Sequence, residues 1–339
     1  METTYIGCDL HKRTSNLCIK TKEGRTLEET KIKTTKEEFT RICSQYPGAH
    51  LVFEPVSQSW WLGDVLEELG LVVYLANARE VKAIAHARVK NDKIDAAVLC
   101  DLLRGDLLPE SYRSSKQARE WKELVRFRTS LIGMRTQLKN KVHALLGRNG
   151  IIPPLGMIFG TRGRIWLEDL ELSVIHRTHL NQYLSLLDMY ESEIDFATKR
   201  VEACTSVCED TELLMSIPGI SYVSALTIMS ELDTIGRFRS GKQVASYAGL
   251  TPSVYASGAS VRYGRLTKRG SKSLRTILIE VAHGQGRLKK SVGLRPYFER
   301  VKERKGARTA TVATARKLCV IIYHVLVSKT AFDDTRLVA

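Results

Sequence analysis

Two carboxylates three residues apart, Asp92 and Asp95, stand in the stretch Lys90-Asn91-Asp92-Lys93-Ile94-Asp95-Ala96-Ala97-Val98-Leu99. Ala96 to Leu103 continue as good helix formers with apolar residues at helical spacing, so the two acids share one face of a helix. Asn91 or Asp92 is suited to cap that helix, and the dipole of its first turn favours ionised carboxylates. Taken alone, such a pair only caps and solubilises a helix start. Two further acids change that reading, because Asp9 and Glu54 each stand at the end of an apolar, strand-like run. Four ionised carboxylates brought together need a cation, and oxygen-only ligation points to Mg2+ or Mn2+.

A second stretch has a different chemistry. Gly249 to Arg275 is small, polar and basic, with Ser257 and Ser260 ahead of Arg262, Arg265, Lys268, Arg269 and Lys272. Glycines let the backbone approach a ligand, and the Arg/Lys cluster suits phosphate. A serine hydroxyl among guanidinium groups can attack a phosphodiester while the cations neutralise the developing charge. No neighbouring His or Asp stands out as its base, so an acid from the first domain would have to serve. A flexible, DNA-contacting turn with no nucleophile fits the same residues.

The elements that must position the acids follow from the pattern. Tyr5-Ile-Gly-Cys-Asp9-Leu10 reads as a strand with Ile6, Cys8 and Leu10 on one face and Gly7 and Asp9 on the other. Leu17 to Ile19 and Lys31 to Lys33 read as two more strands, separated by the Lys22-Glu23-Gly24-Arg25 turn. A helix over Lys36–Tyr46 leads to a strand His50–Phe53, which Pro55 ends with Glu54 at its edge. Ser59–Leu69 is a helix, Leu71–Leu75 a strand, and Arg79–Arg104 a helix interrupted near Asn91. Three strands followed by βαβ units imply a mixed sheet with helices on its faces. Strands one and four can then be neighbours, with the last helix crossing them, so that Asp9, Glu54, Asp92 and Asp95 converge as in RNase H-like nucleases.

Beyond residue 110 the balance of charge changes. Residues 1–110 hold 15 Lys and Arg against 17 Asp and Glu, whereas 111–339 hold 37 against 20, of which 17 against 3 fall within 262–317. So concentrated a surplus marks a polyanion-binding half. Residues 113–148 form a long basic helical stretch, with apolar positions at Trp121, Leu124, Leu131, Leu138, Val142 and Leu145, that either lies along a nucleic-acid backbone or is merely solvated. From Leu180, apolar residues at 184, 187, 194 and 201, with Glu191 and Thr198 between, read as a helical hairpin or short coiled coil. Its surroundings (168–233) carry 13 acids against 3 bases, so a spacer or subunit contact is expected there. Leu214 to Ala225, around Ile217-Pro-Gly-Ile220, resembles a helix-hairpin-helix, a phosphate-binding turn. Ser221 stands where glycine usually repeats, so plain helix packing competes with phosphate contact. No run of about 18 apolar residues suggests a membrane span. The seven cysteines have no metal-type pairing, and a cytoplasmic, nucleoid-associated protein without a signal peptide is expected.

Taken together, Tyr5-Ile-Gly-Cys-Asp9, Phe53-Glu54-Pro55, Lys90-Asn-Asp92-Lys-Ile-Asp95-Ala96, Ile217-Pro-Gly-Ile220, Ala248-Gly-Leu-Thr-Pro252 with Ala256-Ser257-Gly258, and Thr267-Lys-Arg-Gly-Ser-Lys-Ser-Leu-Arg275 carry a resemblance. The chain resembles the DEDD transposases of the insertion sequence 110 family, bridge-RNA-guided recombinases, over nearly its whole length. The wording around 267–270 is closer to the family's 1111-type branch. The resemblance implies an α/β N-terminal RNase H-like (resolvase-like) domain over 1–110 and a section of basic helix, linker and helical coiled coil over 111–210. A mostly α C-terminal transposase domain over 211–339 would carry the catalytic serine. It places the four acids on Asp9, Glu54, Asp92 and Asp95, with divalent metal, and the nucleophile on Ser257 through a phosphoserine intermediate. It implies a homodimer or tetramer bound to donor and target DNA and a structured noncoding RNA that chooses the sites by base pairing. With the acids and the serine in different domains, sites shared between subunits are one expectation. A Holliday-junction-type nuclease using water is the alternative, and a non-catalytic RNA-binding scaffold a third reading. Cys8, where an aliphatic residue is usual, and Ser221 depart from the pattern without touching the chemistry.

Overall fold

Alternation of apolar residues in the first hundred positions is realised as one six-stranded sheet between two helical layers. The computed structural model describes residues 3–57, 59–84, 92–154, 158–257, 260–285 and 293–333. The chain divides into two units, Met1–Arg113 and Ser114–Ala339.

In the first unit β1 (Thr4–Leu10), β2 (Thr14–Thr21) and β3 (Thr26–Lys33) form an antiparallel meander, α1 (Lys36–Cys43) leads to β4 (His50–Phe53), and α2 (Ser59–Glu68) leads to β5 (Val72–Ala76). Two helices follow, α3 (Ala78–Ile84) and α4 (Asp92–Arg104), and then the short β6 (Glu110–Ser111). The sheet order is β3-β2-β1-β4-β5-β6, with β1, β4 and β5 parallel and β6 antiparallel to β5. The mixed sheet of the sequence reading is present; β6, only two residues long, carries no alternation and was not expected. Residues 85–91, including the cap candidate Asn91, lie outside the described residues.

The two faces of the sheet bury different partners. Ile6, Cys8, Leu10, Leu51 and Phe53 pack with Phe39 and Ile42 of α1 and Leu62 and Leu66 of α2. On the other face Val52 and Ala76 meet Val81, Leu99, Leu102 and Leu103, and Cys18 meets Ala96 and Cys100. Gly7 lies on this second face, where a Cβ would stand 2.6 Å from the Cys100 amide nitrogen. Only glycine lets α4 lie so close to β1.

The second unit is mostly helical. Its spine is α5 (Lys116–Arg148), followed by α6 (Thr161–Glu168) and α7 (Val174–Thr205). Helices α5 and α7 run antiparallel, because Arg128 Nε donates to Thr198 Oγ1 at 2.7 Å, Arg135 Nη1 meets Glu191 at 2.9 Å, and His176 Nδ1 lies 2.8 Å from Asn149 Oδ1. The apolar seam read from the sequence is buried: Leu180, Leu184, Leu187, Ile194 and Val201 on α7, Leu131, Leu138, Val142 and Leu145 on α5. Next come α8 (Glu209–Met215), α9 (Tyr222–Leu232), α10 (Gly241–Tyr247), the hairpin β7 (Pro252–Ser257) and β8 (Ser260–Leu266), then α11 (Lys272–Gln285), α12 (Leu294–Lys305) and α13 (Ala307–Ser328).

Among the described residues one helix, α13, is long and apolar enough by length and composition to cross a membrane, with a mean hydropathy of 1.5 over its best window. Leu318, Cys319, Ile322, Val325 and Leu326 instead join the core of the unit with residues of α9, α10 and α11. A helix apolar on most sides is what the centre of a helical core requires.

Candidate active site

The register of the parallel strands brings the first two acids together. Cys8 is paired with Phe53, so Asp9 and Glu54 follow at adjacent positions, at the carboxyl ends of neighbouring parallel strands. By alternation both fall on the face that α4 covers, since Gly7 and Val52 do. The carboxyl end of parallel strands is where open α/β sheets place their ligands.

Helix α4 runs antiparallel to β1. The Cys100 thiol donates to the Tyr5 carbonyl at 3.3 Å, Lys20 Nζ reaches Asp101 at 2.7 Å, and Arg104 Nη1 donates to the Lys22 carbonyl at 3.1 Å. Burial alone would lower the Lys20 pKa, but the hydrogen bond and charge of Asp101 outweigh it and hold Lys20 above its ordinary value. These contacts fix the far end of the helix over the start of β1. Its first turn, with Asp92 and Asp95, therefore points to the end of the sheet where Asp9 and Glu54 stand. Asp95 lies one turn before Leu99, which packs on Val52, two residues short of Glu54. The side chain of Asp92 lies outside what the structure describes. Among the described residues no three His, Cys, Asp or Glu side chains are close enough to hold a metal ion. Fit to a divalent ion rests on donor type: Asp9 and Glu54 at neighbouring strand ends and Asp95 in the first turn of α4 offer carboxylate oxygens, the donors that Mg2+ or Mn2+ takes.

Two neighbours of Asp9 were missed in the sequence. His11 Nε2 lies 3.0 Å from Asp9 Oδ2, the carboxylate being 18% exposed. Asn16, buried at 5% exposure, is the antiparallel partner of Asp9 on β2. It lines a cavity of about 100 Å³ with Lys93 of the first α4 turn, Glu29 and Lys31. His11 could have been found from its spacing, two residues past Asp9 on the same side of an extended chain; Asn16 needed the hairpin register.

In the second unit the stretch expected as a small polar loop is a β-hairpin. Ser257 ends β7 and pairs with Ser260, with Tyr255 opposite Arg262 and Pro252 opposite Leu266. The backbone of Ser257 is thus at the hairpin tip, while its side chain, with Gly258 and Ala259, lies outside the described residues. Strand residues Val254, Tyr255, Val261 and Tyr263 outweigh the small residues that suggested a loop. The base of the hairpin is braced. Gly249 and Gly270 have φ of +67° and +124°. The Ser271 amide donates to the Tyr247 carbonyl at 2.9 Å, and Arg275 donates to the carbonyls of Ala248 and Lys268 at 3.0 and 3.3 Å. Arg262, Arg265, Lys268, Arg269 and Lys272 are all exposed.

The helix-hairpin-helix candidate resolves toward capping. Gly219 turns the chain at φ +86°, and Ser221 caps α9: its hydroxyl accepts from the Ser224 amide while its own amide donates to Ser224 Oγ at 2.7 Å. The serine in place of glycine thereby satisfies the helix end from within.

Acidic residues placed toward one end of the sheet, and a basic hairpin with a serine at its tip, fit an enzyme that works on nucleic-acid phosphates. Similarity specifies the class. A profile described as Transposase, of the DEDD type of IS110, matches residues 6–149, and one described as Transposase IS116/IS110/IS902 family matches 211–296. The chain is 26% identical to the transposase for insertion sequence element IS1328 of Yersinia enterocolitica, over 82% of this chain and 83% of that protein. It is 25% identical to the transposase for insertion sequence element IS1111A of Coxiella burnetii, over 95% and 89%. A pilin gene-inverting protein of Moraxella bovis is 32% identical over 36% of this chain and 38% of its own length. The protein is a DNA transposase/recombinase. It belongs to the IS110/IS116/IS902 family, with relatives of the IS1111A type.

Proposed function

We propose that this transposase cuts and rejoins DNA strands through Ser257, with a divalent ion held by Asp9, Glu54, Asp92 and Asp95 in an RNase H-like first unit. The observation that carries the reading is the β1–β4 register, with α4 directed so that its first turn and both strand ends share one end of the sheet. In the proposed step the Ser257 oxygen forms a bond to phosphorus and the bond from phosphorus to one ribose oxygen breaks. The serine proton passes to a base, and the ribose oxygen leaves as a hydroxyl after gaining a proton. Rejoining reverses these changes with a different ribose hydroxyl, so bond energy is kept in the phosphoserine. Mg2+ or Mn2+, when bound, would supply charge to the phosphate oxygens in the transition state. Arg262, Arg265, Lys268, Arg269 and Lys272 hold the DNA backbone near the hairpin.

A structured noncoding RNA supplies the choice of donor and target sites, and a homo-oligomer supplies the sites. What supports the RNA is the family resemblance together with a basic surplus suited to more than one polyanion. RNA co-purifying with the chain, and mapping to the DNA that flanks its gene, is the expected result; its consistent absence removes the guide from the proposal.

Ser257→Ala tests the chemistry. Loss of the covalent protein–DNA adduct together with cleavage is expected. Unchanged cleavage would establish the alternative, a junction nuclease that uses water. Asp9→Asn should abolish both adduct and cleavage while leaving the protein folded. Mixing Asp9→Asn with Ser257→Ala protein distinguishes shared sites, which recover activity, from sites completed within one chain, which do not.

A further inference from the structure

The second unit carries another concentration of cations, on α12, α13 and the turn between them. Nearly all of it lies beyond the second family match, which ends at residue 296. Arg300, Arg304, Lys305, Arg308 and Arg316 are exposed. Among the described residues none of the five has an acidic partner; of the two nearby acids Glu299 is taken up by Lys302 at 3.0 Å, and Glu303 is exposed on the same helix. The two helices form an antiparallel pair turned at Gly306 (φ +80°). Lys317 Nζ of α13 lies 4.4 Å from the centre of the Tyr297 ring of α12, and Arg300 Cζ lies 5.8 Å from the same ring. Tyr297 thus gathers cations from both helices.

Local electrostatics explains only part of this. Cations in the last turn of α12 complement its dipole. Arg308 does the opposite: it stands in the first turn of α13, where no acid is present and where the dipole disfavours a cation. Arg300 and Arg304 are like charges at i, i+4, an arrangement that disfavours the helix. Charges kept at such positions without an internal partner call for an external anion.

We propose that this ridge binds the phosphate backbone of duplex DNA flanking the site of strand cleavage, without reading its sequence. DNA is the polyanion that the enzyme must hold, and guanidinium groups on a fixed helical pair suit repeated phosphates. The proposal rests on the DNA transposase assignment and not on the Ser257 chemistry.

The test is the triple variant Arg300→Gln, Arg304→Gln, Arg308→Gln, with DNA binding measured by fluorescence anisotropy over a range of salt. Each phosphate no longer neutralised takes about 0.9 from the slope of log affinity against log salt, so a reduction of up to about 2.7 is expected. A long duplex should lose affinity while a short one limited to the cleavage region keeps it, and cleavage of the short duplex should continue. An unchanged slope in a protein with unchanged Tm overturns the proposal, as does a loss confined to a structured RNA of equal length. Should the triple variant fold poorly, Arg308→Gln alone is expected to lower the slope by about 0.9, and its failure to do so is equally decisive. Loss of cleavage on both duplexes with the slope intact would likewise overturn it, since these arginines would then act in cleavage and not in holding the flanking backbone.

Discussion

Two basic helical regions of the second unit look alike in composition and differ in what their charges meet. Along α5 the cations turn to neighbouring helices. Arg126 pairs with the buried Glu231 at 3.0 Å, Arg135 and Lys139 with Glu191 at 2.9 and 3.4 Å, and Lys122 donates to Ser114 at 2.7 Å. Arg128 is bonded to Thr198, and Lys141 lies over the Tyr183 ring. Along α12 and α13, Arg300, Arg304, Arg308 and Arg316 have no such acid among the described residues. The acidic surplus of 168–233, read from the sequence as a spacer or subunit contact, supplies counter-charges to α5 through Glu191 and Glu231. A count of lysines and arginines therefore says little about nucleic-acid binding until the acids they face are known. On α5 much of the surplus is structural; on the α12–α13 ridge it is available to a ligand.

Variants of the helices packed on α5 should accordingly act on stability and leave DNA affinity alone. The largest effect is expected from Leu180→Ala. Leu180 is fully buried among Leu145, Leu146, Leu167 and Leu184. Removing it should lower unfolding free energy by about 2–5 kcal/mol, read by denaturant titration. A loss below about 0.5 kcal/mol, the scale of a surface substitution, would show that the two helices do not form a packed core. A smaller loss, about 1–2 kcal/mol, is expected for Glu231→Gln. The carboxylate is 4% exposed, but Arg126 is 55% exposed and regains water once released. If this variant instead strengthened DNA binding by freeing Arg126, the contrast between the two regions would fail.

The sheet and both apolar seams were legible in the sequence because their signal is periodic. Alternation marked β1 and placed Gly7 and Asp9 on one face, and the 3-4 spacing from Leu180 to Val201 marked the seam of α7. The polar seam positions Glu191 and Thr198 are the points where arginines of α5 enter. Partners distant in sequence could not be read: Asn16 beside Asp9 depends on hairpin register, and the Glu231 pairing depends on how α9 meets α5. The β7–β8 hairpin was hidden for another reason. Its glycines and serines resemble a loop, and strand pairing there is decided by cross-strand neighbours such as Tyr255 and Arg262 rather than by a buried face. The strand-end positions of Asp9 and Glu54 and the helix start at Asp92 were legible from apolar runs and their terminators. Their common direction came only from the contacts that hold α4 antiparallel to β1.

The smallest effect is the most discriminating, because it depends on charge alone. For Glu191, burial by itself would raise the pKa, but the hydrogen bond and charge of Arg135, with Lys139 behind them, outweigh it and hold the carboxyl below its ordinary value of 4.5. A carboxyl held low in the folded state contributes stability that is fully present above the unfolded pKa and is lost as pH falls through the folded one. The Glu191 side chain is 46% exposed and Arg135 26%, so solvent screens the pair and about 0.5 kcal/mol is the expected coupling. A double-mutant cycle of Arg135→Gln and Glu191→Gln at pH 7 and low salt should recover that coupling. It should shrink at high salt and vanish once the pH is well below 4.5, where Glu191 is protonated in both states. A coupling that persisted in acid would mean the two side chains matter for packing rather than charge. The cations of α5 would then lose the role that sets them apart from those on α12 and α13.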